Sequence, residues 1–389
     1  MSSATNPLLP PARPSTGSSR RVRVICYCAW ATSLEPARSF LLGKDYIDVS
    51  ARLANPMDSR LLRMARLDCD WHAETVRALA SLQHPQIDFL PAQAVGAKGL
   101  AELVKRTPPG DEEWWFILTG QQPQHLAGVI GRALACLGQA GIRTLYYAFD
   151  EASRNMRCFP ELAPHLSVLI HDEQPLDERG RASLPPGCLT IHRSWVANLE
   201  PFAAPFVPEP EDKILFLGSE LGFTPHRRRQ VEYLQSRFRD RLVAIHDHSV
   251  PVGERLQLSR YKVGFCPEGR MFTTPGMSAT HTDRPFWSGC LGMVPVSEDS
   301  AAGGRLETLQ QAGLIQRYRH GDLHDLEQAC EAALAQPPAT RQRIYEHFNR
   351  HETIGAVVAG ALAAAGFLPA RTFDRKSAAP VAGVVSCLP

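Results

Sequence analysis

No stretch of this 389-residue chain approaches the run of about 18–20 apolar residues that crosses a bilayer. The first twenty residues, rich in Ser, Pro and Thr, contain no apolar core of a secretory leader, and the expectation is a cytoplasmic protein. Charge of one sign is also missing. Lys and Arg number 42 against 40 Asp and Glu, a net charge of +2, which gives no broad footprint for nucleic acid or an anionic membrane. The ten cysteines include no CxxC pair, which argues against a zinc ribbon or a disulfide framework and for free thiols. Cys26 and Cys28 would share one face of a strand, as core residues do. Phosphate-binding signatures are absent as well. Gly218 and Gly222 have three residues between them, with no following Lys-Ser/Thr and no third glycine, which argues against a P-loop NTPase and a Rossmann dehydrogenase.

What is present is ordinary globular composition, 44% hydrophobic and 21% charged, in a chain long enough for two domains. Residues 1–20 and 376–389 read as disordered tails. Between them, strands expected at Val22–Trp30, Trp114–Leu118, Arg143–Phe149, Ser167–His171 and Cys188–His192 alternate with helical patterns at Asp58–Leu82 and Gln121–Ala140. Residues 201–212 carry four prolines without apolar periodicity and read as a linker. The alternation then restarts with strands at Ile214–Leu217, Leu242–His246, Lys262–Cys266 and Met293–Val296. Helices are expected at Arg227–Phe238, Leu256–Arg260, Leu323–Leu334 and Thr340–Gly360. Alternation of this kind specifies parallel, doubly wound sheets. The expected organisation is therefore an N-terminal α/β domain over 21–200, the linker, and a second α/β domain over 213–340. A helical segment over 341–375 is expected to pack back toward the first domain. Ligands of such sheets bind outside the carboxyl ends of the strands, and two facing domains make the cleft between them the expected site.

The segment Phe265–Asp299 is the most informative. Its Thr282-Asp283-Arg284-Pro285 has the chemistry of a helix start, with Thr282 or Asp283 to cap and Pro285 in the first turn. Gly292 ends that helix and Met293–Val296 follows as a strand. A helix start offers free N–H groups to a diphosphate, and Arg284 adds a bidentate clamp. The competing expectation is a surface ion pair of Arg284 with Asp283 or Glu298.

The spacing of Arg284, Phe286, Gly289, Gly292 and Pro295-Val296 resembles the nucleotide-sugar half of GT-B-fold glycosyltransferases, the exostosin-like group especially. Phe216-Leu217-Gly218-Ser219, followed by Arg227-Arg228-Arg229, is similar to the first glycine turn of such domains. The resemblance covers about 213–300. It implies two Rossmann-like domains facing across a cleft, and a sugar transferred from a nucleotide-diphosphate donor. The helix Phe286–Leu291 lacks the second of the paired glutamates that many retaining members carry, which leaves the stereochemistry open.

On this reading Arg284 is catalytic, neutralising the departing diphosphate. Gly218, Ser219, Arg227, Arg228, Gly269, Thr282 and Asp283 line the donor, and Glu298 receives ribose or sugar hydroxyls. Gly218 lets backbone approach phosphate. A base for the acceptor hydroxyl is sought among Asp150, Glu151, His171, Asp172 and Glu173, with Asp150 preferred. Neither cofactor nor metal is expected beyond the donor itself. His246-Asp247-His248 lacks a third ligand, and Asp68-Cys69-Asp70-Trp71-His72 reads as a mixed helix face. The acceptor, a glycan, protein or small molecule, is not written in any motif. The alternatives are an epimerase or phosphorylase on the same fold, or a non-catalytic nucleotide- or sugar-binding module.

Overall fold

In the computed structural model the described residues are 21–28, 87–91, 112–119, 127–148, 159–171, 182–193, 196–197, 199–218, 225–245, 255–267, 283–299 and 305–365. They form two parallel sheets. The first has six strands in the order β2-β1-β3-β4-β5-β6 and the second five, β11-β10-β9-β7-β8.

The strands of the first sheet are β1 (Arg21–Cys28), β2 (Ile87–Pro91), β3 (Glu112–Thr119), β4 (Arg143–Tyr147), β5 (Val168–His171) and β6 (Leu189–His192). Every pairing is parallel. Trp114 to Leu118 and Leu145 to Ala148 are buried without alternation, the mark of a sheet covered on both faces. Helix α1 (Ala127–Gln139) connects β3 to β4 and buries Ile130, Leu134 and Leu137 at helical spacing.

The second sheet comprises β7 (Glu211–Leu217), β8 (Leu242–Ile245), β9 (Tyr261–Cys266), β10 (Val294–Glu298) and β11 (Gln316–Tyr318). It too is parallel throughout. Helix α2 (Pro225–Phe238) begins on a proline and buries Arg227, Gln230, Val231, Leu234 and Phe238. Helix α3 (Arg284–Cys290) is buried along its whole length. After α4 (Arg305–Gln311) comes α5 (Leu323–Leu334), capped by Asp322, whose Oδ1 accepts the Asp325 N–H at 3.0 Å.

The expected alternation of strand and helix, and the parallel sheets, are therefore what the chain forms. Among the described residues, β2, the short helix Phe159–Leu162, α4 and β11 have no counterpart in the sequence reading. The helix expected over Thr340–Gly360 is two helices, α6 (Pro338–His351) and α7 (Ile354–Ala364). The break has a local cause. Thr353 takes an extended conformation and its Oγ1 accepts the Ala356 N–H at 3.3 Å, starting a new helix. Leu256–Arg260, expected as a short helix, is 3₁₀ over Gln257–Arg260. Strand β7 begins at Glu211, inside the Pro-rich stretch. The rest of that stretch lies against α6. Tyr345 Oη donates to Ala204 O at 2.7 Å, and the Arg341 guanidinium donates to Val207 O and Pro208 O at 3.1 and 3.2 Å. The expected tails, the Asp58–Leu82 helix, Asp68–His72 and His246–His248 lie outside the described residues.

Contacts between the two halves gather where α6 gives way to α7. Ala197 and Thr353 form a parallel bridge, with Ala197 N to Glu352 O and Ile354 N to Ala197 O both at 2.8 Å. Beside it, the fully buried Glu352 carboxylate accepts from Arg193 Nη2 at 2.9 Å, just past β6, and from Arg305 at the start of α4.

Candidate functional site

The strand order of the second sheet sets the site. The chain passes from β7 to β8 on one side, then crosses to β9 on the other side of β7. The carboxyl ends of β7 and β9 are thus the point where the connections part in opposite directions, the usual seat of ligands in open α/β sheets.

Arg284 stands across that point. Its Nε donates to Leu217 O, the last residue of β7, at 3.1 Å. Its Nη1 reaches Pro267 O, one residue past β9, at 3.4 Å. The residue is 8% exposed, and among the described residues no carboxylate lies within ion-pair range of it. Of the two anions that were its competing partners, Glu298 is held by other groups. Asp283 precedes α3 without a side-chain cap, contrary to the expectation for it; its carbonyl instead accepts from Phe286 and Trp287 N–H at 3.0 and 3.2 Å.

Gly218 follows β7 directly, its N–H bonded to Ile245 O at 3.0 Å. A Cβ there would come within 2.5 Å of the Phe216 ring, so the backbone at the end of β7 has no room for a side chain. Arg227 is buried in α2, whereas Arg228 is exposed to solvent one residue later. The structure thus brings Arg284 and the Gly218 turn to the switch point and leaves Arg228 outside it. Ser219, Gly269 and Thr282, like Asp150, Glu151, Asp172 and Glu173, lie outside the described residues. His171 ends β5 and is buried.

Glu298 is the last residue of β10 and has no exposed surface. Its Oε1 lies 2.6 Å from His226 Nε2, 3.0 Å from Gln230 Nε2 and 2.9 Å from His320 Nδ1, with Gly321 N–H at 3.4 Å. The carboxylate itself has no exposed surface, whereas its two imidazole partners keep 27% and 47% of their side-chain surface. The sequence reading singled out Glu298 but missed all its partners. His226 and Gln230, four apart on α2, form the one local signal. It was overlooked because the helix was expected to start at Arg227.

The fold and the arginine together define a doubly wound parallel α/β protein with a cationic seat at a switch point. No protein-family model matches the chain, and no curated protein matches it by sequence. Among solved structures it is similar to the spinosyn rhamnosyltransferase SpnG complexed with thymidine diphosphate, at 12% identity over 88% of this chain and 100% of that one, TM-score 0.35. It is also similar to UGT2 of Phytolacca americana complexed with UDP-2fluoro-glucose and pterostilbene, at 9% identity over 89% and 98%, TM-score 0.37. A third is the glycosyltransferase SnogD from Streptomyces nogalater, at 10% identity over 89% and 100%, TM-score 0.38. The functional reading that follows rests on the residues of the switch point.

Proposed function

We propose that the chain is a glycosyltransferase that takes its sugar from a nucleotide-diphosphate donor seated at the β7/β9 switch point. The observation that carries this is Arg284. A guanidinium held by two main-chain carbonyls, with no carboxylate beside it among the described residues, keeps its full charge for an anion. A diphosphate leaving group gains one negative charge as the glycosidic bond breaks, and a fixed donor aimed at it is stronger in the transition state than in the ground state. Gly218 lets the phosphates approach the backbone, and Ser219, Gly269, Thr282 and Asp283 are assigned to the donor with them. Arg227 and Arg228 extend the positive field from α2. Glu298 acts through the imidazoles it orients toward the donor's hydroxyls, and Asp150 is the assigned base for the acceptor. Arg284 does the work that a metal bound to the diphosphate does elsewhere.

The test is thermal unfolding of the protein against a panel of nucleoside diphosphates and their sugars, followed by turnover with the stabilising donor. A ligand at ~100 times its Kd raises stability by about 2.7 kcal/mol, a shift of a few degrees. Arg284→Ala should abolish that shift and lower turnover about 10²–10³-fold with the circular dichroism spectrum retained. An Arg284→Ala protein that still melts higher with the same diphosphate would remove the assignment. No shift of the parent protein with any nucleotide would remove the donor class.

A further inference from the structure

Glu298 Oε1 has more donors around it than one oxygen accommodates. Four approach within 3.4 Å: His226 Nε2, Gln230 Nε2, His320 Nδ1 and the Gly321 N–H. The donors also crowd one another. Gln230 Nε2 and His226 Nε2 are 3.1 Å apart. If His226 Nε2 carries a proton for the carboxylate, it and the Gln230 N–H converge on the same oxygen. If neither His226 Nε2 nor the carboxylate carries one, two lone pairs face each other across 2.6 Å. Without an ion, a single carboxylate oxygen has to serve all of these groups.

A second observation points the same way. Gln230 is 1% exposed and its Oε1 is buried with no hydrogen-bond partner among the described residues. The oxygen and nitrogen of an amide are exchangeable assignments. Turning this one places Oε1 where Nε2 now lies, 3.0 Å from Glu298 Oε1. Beside a carboxylate and an unprotonated imidazole that position suits an acceptor only if a cation sits between them.

From this geometry we infer that His226 Nε2, His320 Nδ1 and Glu298 Oε1 bind one first-row divalent ion, with Gln230 Oε1 as the fourth donor. The three ligand atoms already lie within 4.8 Å of one another. Bonds of about 2.0–2.2 Å in tetrahedral array place ligand atoms about 3.3–3.5 Å apart, so the cluster opens by roughly half an ångström. The two imidazoles stack with centroids 4.5 Å apart, and being partly exposed they are free to make that adjustment. Two imidazoles with one carboxylate select zinc or a neighbour over magnesium or calcium, which take oxygen ligands. The ion ties the start of α2 to the carboxyl ends of β10 and β11. The inference uses the same Glu298, His226 and His320 that are assigned to the donor's hydroxyls, but it places no metal on the diphosphate, and zinc uptake is read with no donor present.

Full-length protein, stripped with EDTA and dialysed, is titrated with zinc against a chromophoric chelator, and separately with cobalt(II) as a spectroscopic probe. One ion per chain is expected, with the visible absorption of four-coordinate cobalt. His226→Ala and His320→Ala should each weaken zinc binding by about 100-fold or more, since even partners of metal ligands are worth 10–100-fold. His320 is nearly half exposed, so its truncation leaves the fold intact, and circular dichroism checks both variants. A His246→Ala/His248→Ala double variant should bind as the parent does. Three results overturn the assignment: no stoichiometric uptake by the parent, uptake unchanged in either single variant, or uptake lost in the double variant instead.

Discussion

The two sheets are built alike and furnished differently. Both are parallel, both bury the cores of their described central strands, and both order their strands so that connections part at one internal position. Among the described residues of the first half, buried polar side chains are confined to Thr144 and His171. The second half buries Arg227, Gln230, Arg284, Ser288, Ser297, Glu298 and Glu327, with Arg341, Asn349 and Glu352 on the helix and turn that follow. Each such group costs free energy unless partnered. A half that carries this many either holds its own structure with them or holds a ligand, and Arg284, faced by main-chain carbonyls, and Glu298, crowded by two imidazoles, are where a ligand is sought. The difference teaches where to look. Identical scaffolding marks the fold, and the polar residues it tolerates mark the chemistry.

Glu352 offers the strongest way to break the comparison, because it joins the halves. Its carboxylate is buried between Arg193 of the first half and Arg305 of the second. Glu352→Ala leaves both guanidiniums without it and should cost about 3–5 kcal/mol. Differential scanning calorimetry should then show two transitions where the parent shows one. A single, unshifted transition would mean that the halves are joined by other contacts.

Gly289→Ala sharpens it within the second half. A Cβ at Gly289 would sit 2.4 Å from the Phe348 ring, forcing α3 away from α6. Overpacking of this kind costs about 1–3 kcal/mol, so urea unfolding should shift to a lower midpoint, and nucleotide binding should weaken as Arg284 moves with its helix. Asp322→Ala removes the α5 cap for about 1 kcal/mol and should lower the unfolding midpoint slightly, with ligand binding kept.

The smallest effect is a pH dependence. His347 is pushed down to about 4, first by burial and then by the positive charges of His351, Arg305 and Arg193. The folded protein therefore holds it neutral, while the unfolded chain protonates it near 6.5. That contribution to stability is complete above the unfolded value and is lost as pH falls from 6.5 toward 4. Melting temperatures should decline across that window, and His347→Gln should flatten the decline.

Much of this was legible in the sequence, for reasons that differ by element. Ile214–Leu217 and Trp114–Leu118 are continuous apolar runs of strand length, and α1 repeats its apolar residues at 3.6 spacing, so local pattern sufficed. The three-residue β11 and the five-residue β2 are too short to carry a period. The division of α6 from α7 hangs on one threonine cap, and the nearby Gly355 lies inside the second helix and not at the break. In the site, Asp283-Arg284-Pro285 marked a helix start by residue type alone. The partners of Glu298 were not legible in the same way. His226 lies 72 residues from it in sequence, and only the pairing of β10 with β11 delivers His320 to the same oxygen. Local chemistry named the carboxylate; tertiary structure chose its company.

The bridge between Ala197 and Thr353 has a mechanical consequence. The chain leaves the first half just after Ala197 and comes back past it at Thr353, and the two passages are laced by a pair of main-chain bonds. Two tethers fastened at one place act as an axle. Swinging one half about that line preserves both bonds, whereas sliding or twisting the halves apart breaks them and strips Glu352 of Arg193 at once. Among the described residues, rotation about that line is a relative motion that these two bonds permit.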